Sequence, residues 1–129
     1  MSRVLIVDDD HLLLATLEAM LADEGFDVVT ADGGHKAVSL IEQTSFDVIL
    51  VDMVMPGMDG FATIRECRRL KPDLPIVAMS AYMFQEPAGG TPNHSAMAAR
   101  LTGMRVLHKP FDQERLGAAL RAAASKTPH

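Results

Sequence analysis

Short runs of branched aliphatic residues alternate along this chain with longer stretches in which apolar residues recur every three or four positions. Arg3 to Val7 is the first run, and it stops at Asp8-Asp9-Asp10. From His11 to Glu24 the period becomes helical, with Leu13, Leu17, Met20 and Leu21 predicted on one face and Gly25 as the stop behind them. Phe26 to Ala31 reads as a second strand, and Asp32 as the cap of a helix from Gly34 to Gln43 that turns Ala37, Leu40 and Ile41 inward. The third strand, Asp47 to Val51, contains four successive aliphatic residues and no polar break. That is the mark of a strand covered on both faces.

Asp59 is expected to cap a third helix with the stripe Phe61, Ile64, Cys67 and Leu70, closed by Pro72. Leu74 to Met79 forms a fourth strand ending at Ser80. Thr91-Pro92 opens a helix that stops near Gly103. Arg105 to His108 is a fifth strand, followed by Lys109-Pro110, and Asp112 caps a last helix carrying Leu116, Ala119, Leu120 and Ala123. This repeated β-α alternation with short links predicts an α/β fold, a parallel sheet with helices on both faces. One domain over residues 1–124 is expected, with 125–129 as a tail or the stub of a linker.

Composition narrows the function. A net charge of −5 argues against direct binding to nucleic acid or an anionic membrane, both of which need a cationic face. The single cysteine, Cys67, cannot form an internal disulfide and is expected to be buried and unreactive. No stretch reaches the length of a membrane span, and Met1-Ser2-Arg3 runs straight into a strand, so a cytoplasmic protein is expected. The five histidines show no metal-ligand spacing, and neither Gly33-Gly34 nor Gly89-Gly90 matches a nucleotide-cradling loop. The nine methionines read as core filler and loop surface.

The candidate chemistry lies at the strand ends. Taken alone, Asp52 before Pro56-Gly57 reads as an aspartate capping a turn. However, Asp8-Asp9, Asp52, Ser80 and Lys109 all follow strands, and parallel strands bring their carboxyl ends to one edge of the sheet. If strands one and three are neighbours, three carboxylates converge there, which is unfavourable unless a cation is present, and an all-oxygen donor set suits Mg2+. A carboxylate beside Mg2+ can serve as a nucleophile toward phosphorus. Lys109 and Ser80 offer a charge and a hydroxyl to phosphoryl oxygens.

Taken together, Val7-Asp8-Asp9, the stretch from Asp52 through Met55-Pro56-Gly57-Met58-Asp59-Gly60, Ala78-Met79-Ser80-Ala81 and Lys109-Pro110-Phe111 resemble the receiver domain of two-component response regulators. The resemblance covers the whole chain. It implies a flavodoxin-like, doubly wound five-stranded sheet of order 2-1-3-4-5. It implies that Asp52 is the phosphoacceptor and that Asp8, Asp9, Asp52 and the backbone carbonyl of Val54 hold Mg2+, Asp8 directly or through water. Lys109 would neutralise phosphoryl charge and Ser80 would hydrogen-bond it. The implied donor is a phosphohistidine on a sensor histidine kinase or histidine phosphotransfer protein. The implied recipient of the signal is a downstream protein or attached effector domain, reached by a population shift in the face from residue 91 to the last helix. The chain would then be no enzyme beyond its own phosphorylation and dephosphorylation.

Two departures from the family stand out. Val106 occupies the position, three residues before Lys109, where these domains usually carry Tyr or Phe, so the aromatic switch is not assumed. The interval from Ser80 to Lys109 is also longer than the family pattern by roughly two helical turns of residues, with the excess in the Pro- and Gly-rich stretch 83–92. That stretch predicts a long loop, either binding a partner or gating the site, or a tolerated surface insertion. Val54 and Tyr82 lie two residues beyond Asp52 and Ser80, where the resemblance implies that water access to the phosphoryl group is tuned, and an apolar Val54 predicts slow self-dephosphorylation. Asp10 is expected to cap the first helix. His108 is expected to face away from Lys109's side of the strand. Two rival readings stay open: a haloacid-dehalogenase-like phosphatase using Asp8-x-Asp10, which leaves the other strand ends unexplained, and a degenerate receiver that binds partners without phosphorylation.

Overall fold

The structure, a computed structural model, describes residues 2–53, 60–80, 105–108 and 111–125. Five parallel strands form one sheet in the order β2-β1-β3-β4-β5, namely β1 (Arg3–Val7), β2 (Asp27–Ala31), β3 (Val48–Asp52), β4 (Ile76–Ser80) and β5 (Arg105–His108). The described helices are α1 (His11–Asp23), α2 (Gly34–Gln43), α3 (Gly60–Leu70) and α4 (Gln113–Ser125). This is the doubly wound α/β arrangement expected from the alternation, with the chain reversing direction across the sheet between β1 and β3.

The strand period sorts the core into two layers. Leu5, Val7, Ile49, Val51, Ile76 and Ala78 pack with Ala37 and Ile41 of α2 and Ile64 and Cys67 of α3. Their neighbours Val4, Ile6, Val48, Leu50, Val77 and Met79 face the other way, against Leu14, Leu17 and Leu21 of α1 and Leu116, Leu120 and Ala123 of α4. Every residue of β3 is buried, as a central strand between two helical layers requires.

The structure moves several expected boundaries. The buried stripe of α1 is Leu14-Leu17-Leu21, with Leu13 and Met20 on its flank and Leu12 78% exposed. Periodicity alone cannot choose a phase through Leu12-Leu13-Leu14, and the seating of α1 on the sheet does. Phe26 is not part of β2, because its N–H is spent on the Leu21 carbonyl (3.0 Å) behind α1. Gly25 stops that helix with φ at 93°, a conformation open to glycine. Asp32 does not cap α2. Gly33, in extended backbone, occupies the cap position with no side-chain bond, and the Asp32 carboxylate instead meets His11 Nε2 at 3.2 Å. Asp112 does cap α4, its Oδ1 accepting from the Arg115 N–H at 2.7 Å. The caps and turns expected at 54–59, the loop 83–92 and the helix from Thr91-Pro92 lie outside the described residues, as does the tail beyond Ser125.

Candidate functional site

The site grows out of the register of the two central strands. Val7 pairs with Val51, so the next residues, Asp8 just past β1 and Asp52 at the end of β3, stand side by side at the rim of the sheet. The Asp8 N–H donates to the Ala31 carbonyl (3.1 Å), and the Met53 N–H donates to that of Met79 (3.0 Å). The sheet pairing therefore continues on both sides of the acidic rim and holds its backbone. Asp8 and Asp52 are 1% and 7% exposed, while Asp9 faces solvent.

Asp10 separates from this group, as expected. Its Oδ1 accepts the N–H groups of Leu12 (3.0 Å) and Leu13 (3.1 Å), so its charge sits on the positive end of α1. Its own N–H donates to Asp8 Oδ1 at 3.0 Å. The start of α1 thereby orients the first acidic side chain.

One carboxylate oxygen from each of Asp8, Asp9 and Asp52 lies within 4.8 Å of the other two. Three negative charges at that spacing, two of them largely removed from water, repel strongly. A divalent ion reverses the balance. Mg2+ holds oxygen at about 2.1 Å, so ligands on opposite sides of it stand about 4.2 Å apart. At most one pair of the three can stand opposite and adjacent ligands are about 3 Å apart, so the three oxygens must draw closer, or one must bind through water, and the donors are hard oxygens.

Of the other residues singled out in the sequence, Ser80 ends β4 opposite His108, one residue beyond the Asp52–Met79 pair, so its backbone stands on the same rim. The side chains of Ser80 and His108, and Val54, Tyr82 and Lys109 altogether, lie outside the described residues. Val106 pairs with Ala78 and is partly buried against the α2–α3 layer. Cys67 is fully buried, which pushes its thiol from an ordinary 9.0 up to about 12. Gly60, which the sequence offers only as part of the acceptor motif, has its Cα directly against the backbone of Asp52 and Met53. A glycine as the first residue of a helix, where better helix formers are available, was the signal.

Comparison with known proteins agrees with this geometry. The model of the response regulator receiver domain matches residues 4–121. The transcriptional regulatory protein ZraR of Escherichia coli K12 is 35% identical over 125 residues, which is 96% of this chain but 26% of ZraR. The sensor protein GacS of Pseudomonas syringae is 44% identical over 85 residues, 62% of this chain and 9% of GacS. Among solved structures, the chemotaxis protein CheY4 of Vibrio cholerae superposes with a TM-score of 0.81 at 28% identity, covering 95% of this chain and 98% of its own. The receiver domain of the sensor histidine kinase PA1611 from Pseudomonas aeruginosa, described with a magnesium ion coordinated in its active-site cleft, gives 0.81 at 29% identity over 97% and 98%. With the family model spanning nearly all of its length, the chain belongs to the response regulator receiver domains of two-component signalling.

Proposed function

We propose that this domain accepts a phosphoryl group on Asp52 from a phosphohistidine of a sensor histidine kinase or histidine phosphotransfer protein, and passes the change to a downstream protein or an attached effector domain. The observation that carries the reading is the convergence of Asp8, Asp9 and Asp52, with oxygens within 4.8 Å, at the carboxyl end of the two central strands. In the transfer, an Asp52 carboxylate oxygen forms a bond to phosphorus as the bond from phosphorus to the donor's imidazole nitrogen breaks. The electron pair stays on that nitrogen, which takes up a proton from water. The buried position of Asp52 limits competing attack by solvent.

Asp8, Asp9 and the Val54 carbonyl join Asp52 in holding Mg2+, which when bound offsets the negative charge of the carboxylates and the incoming phosphoryl oxygens. The hydrogen bond from the Asp10 N–H keeps Asp8 turned toward the cluster. Lys109 neutralises phosphoryl charge, and the Ser80 hydroxyl donates to a phosphoryl oxygen. An apolar Val54 cannot orient a hydrolytic water, so the acyl phosphate is long-lived. The domain turns over no external substrate, works in the cytoplasm, and acts through protein contacts, not by binding nucleic acid or membrane. No helix among the described residues is long and apolar enough to cross a membrane.

Incubation with Mg2+ and acetyl phosphate, followed by intact-mass measurement, tests the assignment. Wild-type chain should gain one phosphoryl mass that Asp52→Asn does not. Label on Asp8 would favour phosphatase-like chemistry, and no label on either chain would leave a receiver that works without phosphorylation.

A further inference from the structure

Gly60 is buried at the first position of α3, the far end of the segment that begins at Asp52. A Cβ at this position would stand 2.5 Å from Met53 Cα, 2.7 Å from the Asp52 carbonyl oxygen and 3.0 Å from the Met53 carbonyl carbon. All three atoms are backbone, so no side chain can swing aside. Neither side of the contact is loose. Met53 is bound to Met79 through its N–H (3.0 Å), and α3 is anchored by Ile64 and Cys67 in the core. Gly117 provides the contrast: a Cβ there would approach only the Glu24 side chain, 2.6 Å from its Oε1, which can rotate away.

We propose that Gly60 is a positioning residue for the phosphoacceptor: its bare Cα lets the first turn of α3 rest on the Asp52–Met53 backbone, and that contact sets the reach of the Asp52 carboxylate toward Asp8 and Asp9. This rests on the reading of Asp52 as acceptor and metal ligand. Carbon atoms pack at about 3.5 Å, so a methyl group at residue 60 must open the 2.5 Å contact by about 1 Å. Passed on to the Asp52 carboxylate, a displacement of that size would cost up to about 100-fold in rate.

The test compares Gly60→Ala with Cys67→Ala, which loosens the same helix from inside the core, and with Gly117→Ala, a crowded glycine remote from the acidic rim. Each 129-residue chain is melted with and without Mg2+ in the absence of any phosphodonor. Each is then phosphorylated with acetyl phosphate at saturating Mg2+ and followed by intact mass. Gly60→Ala should fold, require about tenfold or more Mg2+ for the same thermal shift, and phosphorylate about 10- to 100-fold more slowly. The two controls should stay within about twofold of wild type in both readouts, whatever their loss of melting temperature. Gly60→Ala with wild-type Mg2+ response and rate would overturn the proposal. So would a Cys67→Ala defect of the same size, or a Gly60→Ala chain that does not fold at 10 °C with Mg2+, because the glycine would then serve the fold and not the site. If wild type takes no phosphate on Asp52, the functional reading fails separately, and the Mg2+ melts still decide whether Gly60 shapes the acidic cluster.

Discussion

Neutralising Asp52 should stabilise the metal-free domain, although it removes the residue the chemistry needs. Unit charges 4.8 Å apart repel by about 0.9 kcal/mol in water and about 3.5 kcal/mol at the effective dielectric of a partly buried site. Asp52→Asn removes two such pairs, one with Asp8 and one with Asp9. Asp9 is exposed, which draws its pair toward the lower figure. Asp8 and Asp52 also make other interactions that an amide keeps only in part, so a net gain of about 2 kcal/mol is expected. For 129 residues that corresponds to a rise of about 5–10 °C in melting temperature in EDTA. Mg2+ should close the gap, because an ion at a hundred times its Kd stabilises wild type by about 2.7 kcal/mol and the variant, with a weakened site, by much less. Differential scanning fluorimetry of both chains in EDTA and in a Mg2+ series reads both halves. An Asp52→Asn chain that melts at or below wild type in EDTA, or that gains the same shift from Mg2+, would refute the charge-cluster argument.

Asp10→Ala removes the α1 cap and should cost about 1 kcal/mol in urea unfolding. Its Mg2+ response should change little, since the bond to Asp8 comes from the backbone N–H of residue 10, which alanine keeps, and Asp10→Asn should restore much of the stability. Burial raises the Cys67 pKa to about 12, so the folded state binds this proton more tightly than the unfolded one. The resulting stability is complete below pH 9 and lost as pH rises toward 12, at about 1.4 kcal/mol per pH unit, a slope that Cys67→Ala should flatten in alkaline melts. Glu24 is held below its ordinary 4.5, first by Gln113 and then by Arg121 of α4. Its contribution is therefore present above pH 4.5 and disappears on acidification below it. Glu24→Gln should make the acid limb of stability shallower, and an unchanged limb would place the effect elsewhere.

Most of the site was legible because strand ends are punctuated locally. Asp8, Asp52 and Ser80 each follow an unbroken aliphatic run, and the run itself states where the strand stops. The Asp10 and Asp112 caps were readable for the same reason, since a cap bonds to N–H groups two or three residues away. Where two local solutions compete, the sequence is silent. Asp32 could cap α2 or meet His11, and only the approach of α1's first turn to the end of β2 chose the second. Gly60 belonged to the quoted motif, but its role was not legible because its partners are backbone seven and eight residues earlier, brought back by the packing of α3 on β3.

The amino-acid order alone determined that this protein alternates strand and helix, buries its third strand on both faces, and carries carboxylates at strand ends. Those properties depend on period and on neighbours within a few positions. Only the tertiary structure decided that Val7 pairs with Val51, and hence that Asp8, Asp9 and Asp52 meet within 4.8 Å. The apolar pattern limits each strand to registers that keep its faces buried, but which strands become neighbours is settled by how the two helical layers close over the sheet.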